Sequence, residues 1–278
     1  MQTPATNPIN SALINVMVAA VRKATQRLPR DFGEVDQLQV TRKGAVNFVT
    51  EADIRTEKLL YQELSKARPK FGFLMEESGE VKGEEGEYRW VIDPLDGTSN
   101  FVHAVPYFAT SVGVEHITPN GTEIIAGVIY DIIHDELFVA EKGKGAFVNN
   151  RRLKTSIRTR DYYFVTGTAK FKNEFSPYCS ELAREADQME AVIRRTGSAS
   201  LDLAYVAAGR YDAAWYPHLQ KWDMAAGIIL IKEAGGVVGQ LGGAGDAYQS
   251  GAILAASENA YKVLVPHSTS KAALQKPA

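Results

Sequence analysis

"ATSVGVEHITPNGTEIIAGVIYDIIHDELFVAEKGKGAFVNN", residues 109–150, decides the fold class. Its β-branched and aromatic runs, "ATSVGVEHI", "EIIAGVIYDII", "ELFVAEKG" and "GAFVNN", follow one another with turn signals at Pro119 to Gly121 and around His134 and Asp135. Strands joined by tight turns pair with their sequence neighbours in opposite directions, so this spacing predicts an antiparallel meander.

Upstream, the period changes. Ile9, Leu13, Val16, Met17, Ala20, Val21, Ala24 and Leu28 recur at helical steps behind Asn10 and Ser11, which predicts a long amphipathic first helix. "LQVTRKGAVNFVT" (38–50) reads as a strand pair or extended arm. Thr50 opens "TEAD", a helix-start signal, and the second helix is expected to end near Pro69. Two buried strands follow, "FGFLM" (71–75) and "RWVID" (89–93), separated by an acidic glycine-bearing loop, "VKGEEGEY" (81–88).

Downstream of the meander, strands and helices alternate. Strands are expected at 162–168, 191–197 and 212–216, and helices at 174–189, 199–209 and 223–236, a mixed α/β layer. The boundary between the halves is placed near 155, in "NNRRLKTS", giving an N-terminal α+β half (1–155) and a C-terminal α/β half (156–266). A polar tail (267–278) is expected to be disordered.

Composition narrows the function classes. With 31 basic and 33 acidic residues among 278, the net charge of -2 argues against a surface built mainly for nucleic acid. The single Cys179 excludes an internal disulfide and lacks the paired spacing of a thiolate zinc site. Apolar runs are too short to cross a bilayer, and the start lacks the pattern of a signal peptide, so a cytoplasmic location is expected.

Four acids stand where elements end or begin: Glu76 after "FGFLM", Asp93 and Asp96 in "WVIDPLDGTSNF" (90–101), and Asp223 before "MAAGIILI". Such places aim side chains into one cleft. Oxygen ligands without a Cys or His cluster favour a hard ion such as Mg²⁺. Gly97-Thr98 would open a helix whose free N–H groups suit a phosphate, and a metal-held phosphate implies hydrolysis by metal-activated water. Taken singly, each segment has a plainer meaning: "DPLDG" an ordinary turn, "MEES" a solvated loop, Asp223 a helix N-cap. Their joint occurrence favours the site.

"KGAVNFVTEAD", "FLMEES", "WVIDPLDGTSNFVHAVPYFATSVGV" and "KWDMAAG", in this order, resemble the inositol monophosphatase family, Mg²⁺-dependent and lithium-sensitive phosphomonoesterases. "RRTGSASLDLAYVAAGRYDAAW" (194–215) is most similar to its bacterial branch. The resemblance implies a layered αβαβα sugar-phosphatase fold, between α+β and α/β in class, commonly dimeric. It implies that Glu76, Asp93 and the Leu95 carbonyl hold a first Mg²⁺, that Asp93, Asp96 and Asp223 hold a second, and that Glu76 supports a weaker third and its water. Gly97 and Thr98 would bind phosphate, and the Thr98 hydroxyl would help activate water. Leu95, Asp96, Gly197, Ser198, Ala199 and Asp223 would face the substrate.

Two positions depart from the family pattern. Asn47 stands where an aspartate is common beside the water-activating threonine; an amide orients that hydroxyl but cannot take its proton. Slower turnover or a higher pH optimum than in Asn47→Asp is therefore expected, and matching pH–rate profiles for the two proteins would sink the idea. Tyr216 stands where inositol-specific members carry a glutamate, and a phenol offers one donor-acceptor and a flat ring in place of two acceptors.

The leading function is hydrolysis of a small phosphomonoester, inositol 1-phosphate foremost; nucleotide 3′-phosphatase and histidinol phosphatase are the alternatives within the family. From another class, the bacterial branch implies an interaction protein of the transcription machinery. Arg194 and Arg195 read as a solvated or interface pair, His103 and His218 as packing or rim, Cys179 as core, and Trp215 as half core, half cleft wall.

Overall fold

A computed structural model describes residues 11–34, 40–42, 48–84, 86–159, 163–168, 170–171 and 174–269. The chain opens with helices α1 (Ala12–Ala24) and α2 (Leu28–Gly33), the antiparallel pair β1 (Val40–Arg42) and β2 (Phe48–Thr50), and α3 (Glu51–Ala67). Then come β3 (Gly72–Met75), β4 (Gly79–Val81), β5 (Tyr88–Asp96), the short α4 (Thr98–Val102) and the meander, β6 (Ala109–Thr118), β7 (Gly121–Asp131), β8 (Glu136–Glu141), β9 (Gly145–Val148) and β10 (Arg151–Arg152). The remainder comprises β11 (Phe164–Gly167), β12 (Lys170–Phe171), β13 (Glu174–Phe175), α5 (Pro177–Gln188), β14 (Val192–Arg194), α6 (Ala199–Ala207), β15 (Ala213–Tyr216) and α7 (Lys221–Glu233). It closes with β16 (Val237–Gln240), α8 (Ala247–Ser250), β17 (Ile253–Ala256) and α9 (Glu258–Ser268).

The meander forms as its turn signals predict, and β5, β3 and β4 extend it to eight strands in the order β10-β9-β8-β7-β6-β5-β3-β4. Within it only β3 and β5 run parallel. The second sheet, β14-β11-β15-β17-β16, is mixed: β11 runs parallel to β14 and β15, and β17 antiparallel to β15 and β16.

Side-chain alternation along the strands divides the core. Trp90, Ile92, Val112 and Val114 face Ile14, Met17 and Leu60 of α1 and α3, whereas Val91 and Ile129 face Leu201, Leu203, Ile229 and Leu230 of α6 and α7. The far face of the second sheet, through Trp215, Leu254 and Ala256, carries Cys179 and Leu182 of α5 and Leu264 of α9. Five layers result, helix, sheet, helix, sheet, helix, and the α6–α7 layer joins the halves on either side of residue 155. Between two sheets the middle of α7 has no face open to water, which is why residues Met224 to Ile231 are all buried.

Paired glycines set how closely α7 lies. Gly113 and Gly127 are register partners, and a Cβ on either would come within 2.7 Å of Ala225 or Ala226. A side chain there would lift α7 off the sheet and carry Asp223 away from β5.

The expected first helix is broken into α1 and α2. Pro29 lacks an N–H and fits only the first turn of a helix, so the chain turns after Ala24, where the Thr25 hydroxyl bonds the Val21 carbonyl at 2.9 Å. The helix expected from residue 174 begins at Pro177, because Ser176 caps it through the Cys179 N–H, and 174–175 form strand β13. Helix α7 starts before residue 223, with Gln220 as N-cap and Asp223 in its first turn. Helix α9 runs to Ser268, two residues into the expected tail; 270–278 lie outside the described residues.

Candidate active site

A β-bulge places the two aspartates of "DPLD". Asp93 pairs with Ser111 and Asp96 with Ala109, so Pro94 and Leu95 stand opposite Thr110 alone. In a regular strand residues three apart point to opposite faces; the extra residue restores parity and turns both carboxylates to one side. Proline is tolerated because the bulge removes the need for its ladder N–H, and the Thr110 hydroxyl bonds the Pro94 carbonyl at 2.7 Å. The Leu95 N–H donates to Asp93 Oδ1 at 3.0 Å, fixing that carboxylate over the turn.

Glu76 joins them because β3 runs parallel to β5. Met75 is the register partner of Ile92, and the Glu76 N–H donates to the Ile92 carbonyl at 3.2 Å, which sets Glu76 beside Asp93. The turn after it is held by the buried Glu57 of α3, which accepts from the Glu77 N–H at 2.8 Å and the Ser78 hydroxyl at 2.5 Å. Asp223 arrives from α7, its Oδ2 accepting the Gln220 N–H at 2.7 Å as part of a capping box. Asp96 Oδ2 accepts three bonds, from the Ser198 hydroxyl (2.6 Å), the Ser200 N–H (2.7 Å) and the Ser200 hydroxyl (2.5 Å), which lock the start of α6 to the bulge.

The electrostatics follow. Burial, and then the charges of Glu76, Asp96 and Asp223, hold the Asp93 carboxyl well above the ordinary carboxylate range. Asp223 is likewise raised well above it, first by burial and then by Asp96. Burial raises Asp96 too, against the lowering effect of the Ser198 and Ser200 bonds. Asp93 is sealed from solvent at 2 % exposure, whereas Asp96 and Asp223 keep partial access although protein surrounds them. Among the described residues no three acidic, His or Cys side chains stand in a closed ion-holding arrangement. An all-oxygen set of this kind suits a hard divalent cation.

Gly97 turns the strand into α4 with φ +93°, a left-handed conformation that glycine alone adopts freely; a Cβ there would also meet the Tyr107 carbonyl at 3.0 Å. Thr98 follows, its hydroxyl 3.0 Å from both Asp53 Oδ1 and the Leu95 carbonyl. Asp53 was legible in "TEAD" as a capping residue, and it does close the capping box: Oδ2 accepts the Thr50 N–H at 2.8 Å and the Thr50 hydroxyl at 2.6 Å. Its second oxygen on Thr98 carried no sequence signal, since 45 residues separate them. Burial raises the Asp53 carboxyl against the lowering bonds from Thr50 and Thr98. Asn47, the expected partner of Thr98, lies outside the described residues.

Beside the carboxylates lies a cavity of about 370 Å³ lined by Asp96, Gly197, Ser198, Ala199, Tyr216 and Asp223 among others. The residues expected to face substrate in the second half thus share one wall with two of the acids. Arg194 and Arg195, expected to be a solvated or interface pair, are both exposed; Arg195 also borders this cavity, and the Arg194 guanidinium lies 5.2 Å from the Phe164 ring centre. Trp215 is core and not cleft wall, at 2 % exposure. His103 and His218 stay on exposed contacts, with the Ser99 carbonyl at 2.7 Å and the Gln220 amide at 3.1 Å respectively. Cys179 is buried as expected, and burial pushes its thiol up to about 11.

Comparison with known proteins matches the geometry to a family. Residues 9–273 match the model of the inositol monophosphatase family. The chain is 48 % identical over 257 residues to the inositol-1-monophosphatase of Rhizobium meliloti (strain 1021), covering 91 % of this chain and 95 % of that protein. Against the Nus factor SuhB of Escherichia coli (strain K12) identity is 37 %, over 91 % of this chain and 94 % of that protein. Among solved structures, the extragenic suppressor protein suhB of Bartonella henselae superposes with a TM-score of 0.86 at 48 % identity, covering 94 % of this chain and all (100 %) of that one.

Proposed function

The chain belongs to the inositol monophosphatase family and is a phosphoric monoester hydrolase, and we propose that it hydrolyses inositol 1-phosphate with Mg²⁺ held by Glu76, Asp93, Leu95, Asp96 and Asp223. The observation that carries the reading is the bulge that turns Asp93 and Asp96 to one side, against Glu76 and Asp223. Two to three ions bound there would polarise the phosphoryl oxygens, lower the pKa of a bound water toward neutrality and neutralise the leaving alkoxide.

The chain's own residues supply the rest. Gly97 and Thr98 present N–H groups at the turn for the phosphate oxygens. The Thr98 hydroxyl has one hydrogen and two acceptors in reach; given to Asp53, it leaves the Thr98 lone pairs to accept from the attacking water and the Leu95 carbonyl open to a cation. Asp53 is thus a positioning residue. Ser198 and Ser200 fix the Asp96 carboxylate, and Gly197 to Ala199 border the leaving group.

Inhibition by lithium and a homodimeric, cytoplasmic protein belong to the same proposal; no helix among the described residues is long and apolar enough to cross a membrane. The test is phosphate release from a panel of esters with and without Mg²⁺ and lithium. Release from inositol 1-phosphate that needs Mg²⁺ and falls with lithium is expected; a clear preference for a nucleotide 3′-phosphate or histidinol phosphate would transfer the assignment to one of those.

The name of the E. coli relative supports a second reading, contact with the transcription machinery. Asp96→Asn and Asp223→Asn separate the two: if both abolish phosphate release and leave the cellular role intact, the interaction is the main function.

A further inference from the structure

Ser111, Gly113 and Glu115 alternate along β6 on the face turned to α7. Ser111 is the register partner of Asp93, and its hydroxyl donates to the Trp222 carbonyl at 3.4 Å; a Cβ on Gly113 would meet Ala225. Glu115 breaks this run of small residues with a carboxylate at 0 % exposure. A charge so buried must be paired. Arg89 of β5 donates through Nε to its Oε2 at 2.5 Å, and the Tyr248 hydroxyl of α8 donates to its Oε1 at 2.5 Å. Lys221, the first residue of α7, brings Nζ to 3.8 Å from the same Oε1 and 4.9 Å from the Tyr248 ring centre. The helix dipole disfavours a cation in a first turn, so the place of Lys221 is set by these partners outside the helix. The segment leading into α7 is tied to α8 as well. The Leu219 N–H donates to the Gly251 carbonyl at 2.8 Å, and a Cβ on Gly251 would come within 2.5 Å of the Leu219 carbonyl.

We propose that Glu115 is a positioning residue for the metal site: through Lys221 and Tyr248 it seats the first turn of α7 on β6, and so sets Asp223 against Asp93. One strand thereby serves both ligands, since β6 carries Ser111 opposite Asp93 and Glu115 beneath the helix start that presents Asp223. The inference rests on the hydrolase reading above and deepens it. Groups that orient a metal ligand from behind are worth about 10 to 100-fold in metal affinity.

Lys221→Met keeps the side-chain stem and removes the charge, and Tyr248→Phe keeps the ring and removes the bond to Glu115. For each, the Mg²⁺ midpoint is read twice, from the Mg²⁺-dependent rise in melting temperature and from phosphate release. Both variants are expected to raise it about tenfold, with KM for the ester nearly unchanged. The direction of the shift is diagnostic for Lys221. Loss of a cation near the site would by charge alone tighten Mg²⁺ binding, so a lower midpoint in Lys221→Met overturns the proposal. Leu264→Ala, a cavity on the far face of the second sheet, supplies the control for lost stability. It is expected to lower the melting temperature and leave the midpoint where it was. Unshifted midpoints in Lys221→Met and Tyr248→Phe, or an equal shift in Leu264→Ala, would make the cluster merely structural and defeat the proposal. A wild-type protein that neither melts higher with Mg²⁺ nor releases phosphate defeats the hydrolase reading itself, a result distinct from an unshifted midpoint.

Discussion

Asp93→Asn is expected to lower kcat/KM by ~10³ or more while leaving the metal-free protein as stable as the wild type at neutral pH, or more so. The loss corresponds to about 4 kcal/mol of transition-state stabilisation, the scale of removing one shared cation ligand. Retention of the fold follows from the bonds: the amide oxygen of the substituted side chain can still accept the Leu95 N–H that Asp93 Oδ1 accepts at 3.0 Å. Asp96 is a poorer choice for the test, because its carboxylate also anchors Ser198 and Ser200. The stability claim comes from linkage. Burial first, then neighbouring carboxylates, raise the folded-state pKa of Asp93 and Asp223 above the ordinary 3.8. A carboxyl raised in this way contributes stability that is fully present below the unfolded value and is lost as pH climbs through the folded one. The metal-free wild type should therefore lose stability between mild acid and neutral pH, and Mg²⁺ should restore it by favouring the ionised form. Thermal melts at acid and neutral pH, with and without Mg²⁺, read this directly. A Mg²⁺-dependent rise in melting temperature that survives Asp93→Asn undiminished would remove Asp93 from the metal site, whatever happens to activity.

The meander, the strand–helix alternation and the four acids were legible because each is local: a turn signal, a period, a carboxylate at an element's end. Register and bulge were less so. Asp93 and Asp96 share a face only because Pro94 and Leu95 stand opposite Thr110, and nothing in "DPLD" says which strand lies opposite. The same limit hid Glu57, whose carboxylate braces the turn after Glu76 from 20 residues upstream, and Asp202, whose four partners are scattered between Tyr107 and Tyr216. A buried acid inside an apolar helix such as "ASLDLAYVA" (199–207) is the one trace of such a hub, since an ionisable group there needs partners from elsewhere in the fold. Tyr216 shows the difference in consequence. Its sequence position suggested a hydroxyl offered to substrate, and the structure gives that hydroxyl to Asp202.

Thr98→Ala is expected to reduce kcat by ~10² to 10³ with little change in KM, the range for loss of a group that orients or deprotonates the nucleophile. The more informative variant is Asp53→Asn. Its amide oxygen can keep the capping box closed on the Thr50 N–H, where Asp53 Oδ2 accepts at 2.8 Å, so a stability loss of about 1 kcal/mol or less is expected. Its amide nitrogen, however, would face Thr98 as a donor. The Thr98 hydrogen must then go to the Leu95 carbonyl, also at 3.0 Å, which takes up a lone pair otherwise open to a cation and turns the hydroxyl away from the attacking water. A fall in kcat of ~10 to 10²-fold is expected together with a higher Mg²⁺ requirement, and weaker capping alone would produce neither. The double-mutant cycle separates the two accounts. If Asp53 acts through Thr98, Asp53→Asn in the Thr98→Ala background should add almost nothing to the loss in kcat. Additive losses would show that Asp53 serves only the start of α3.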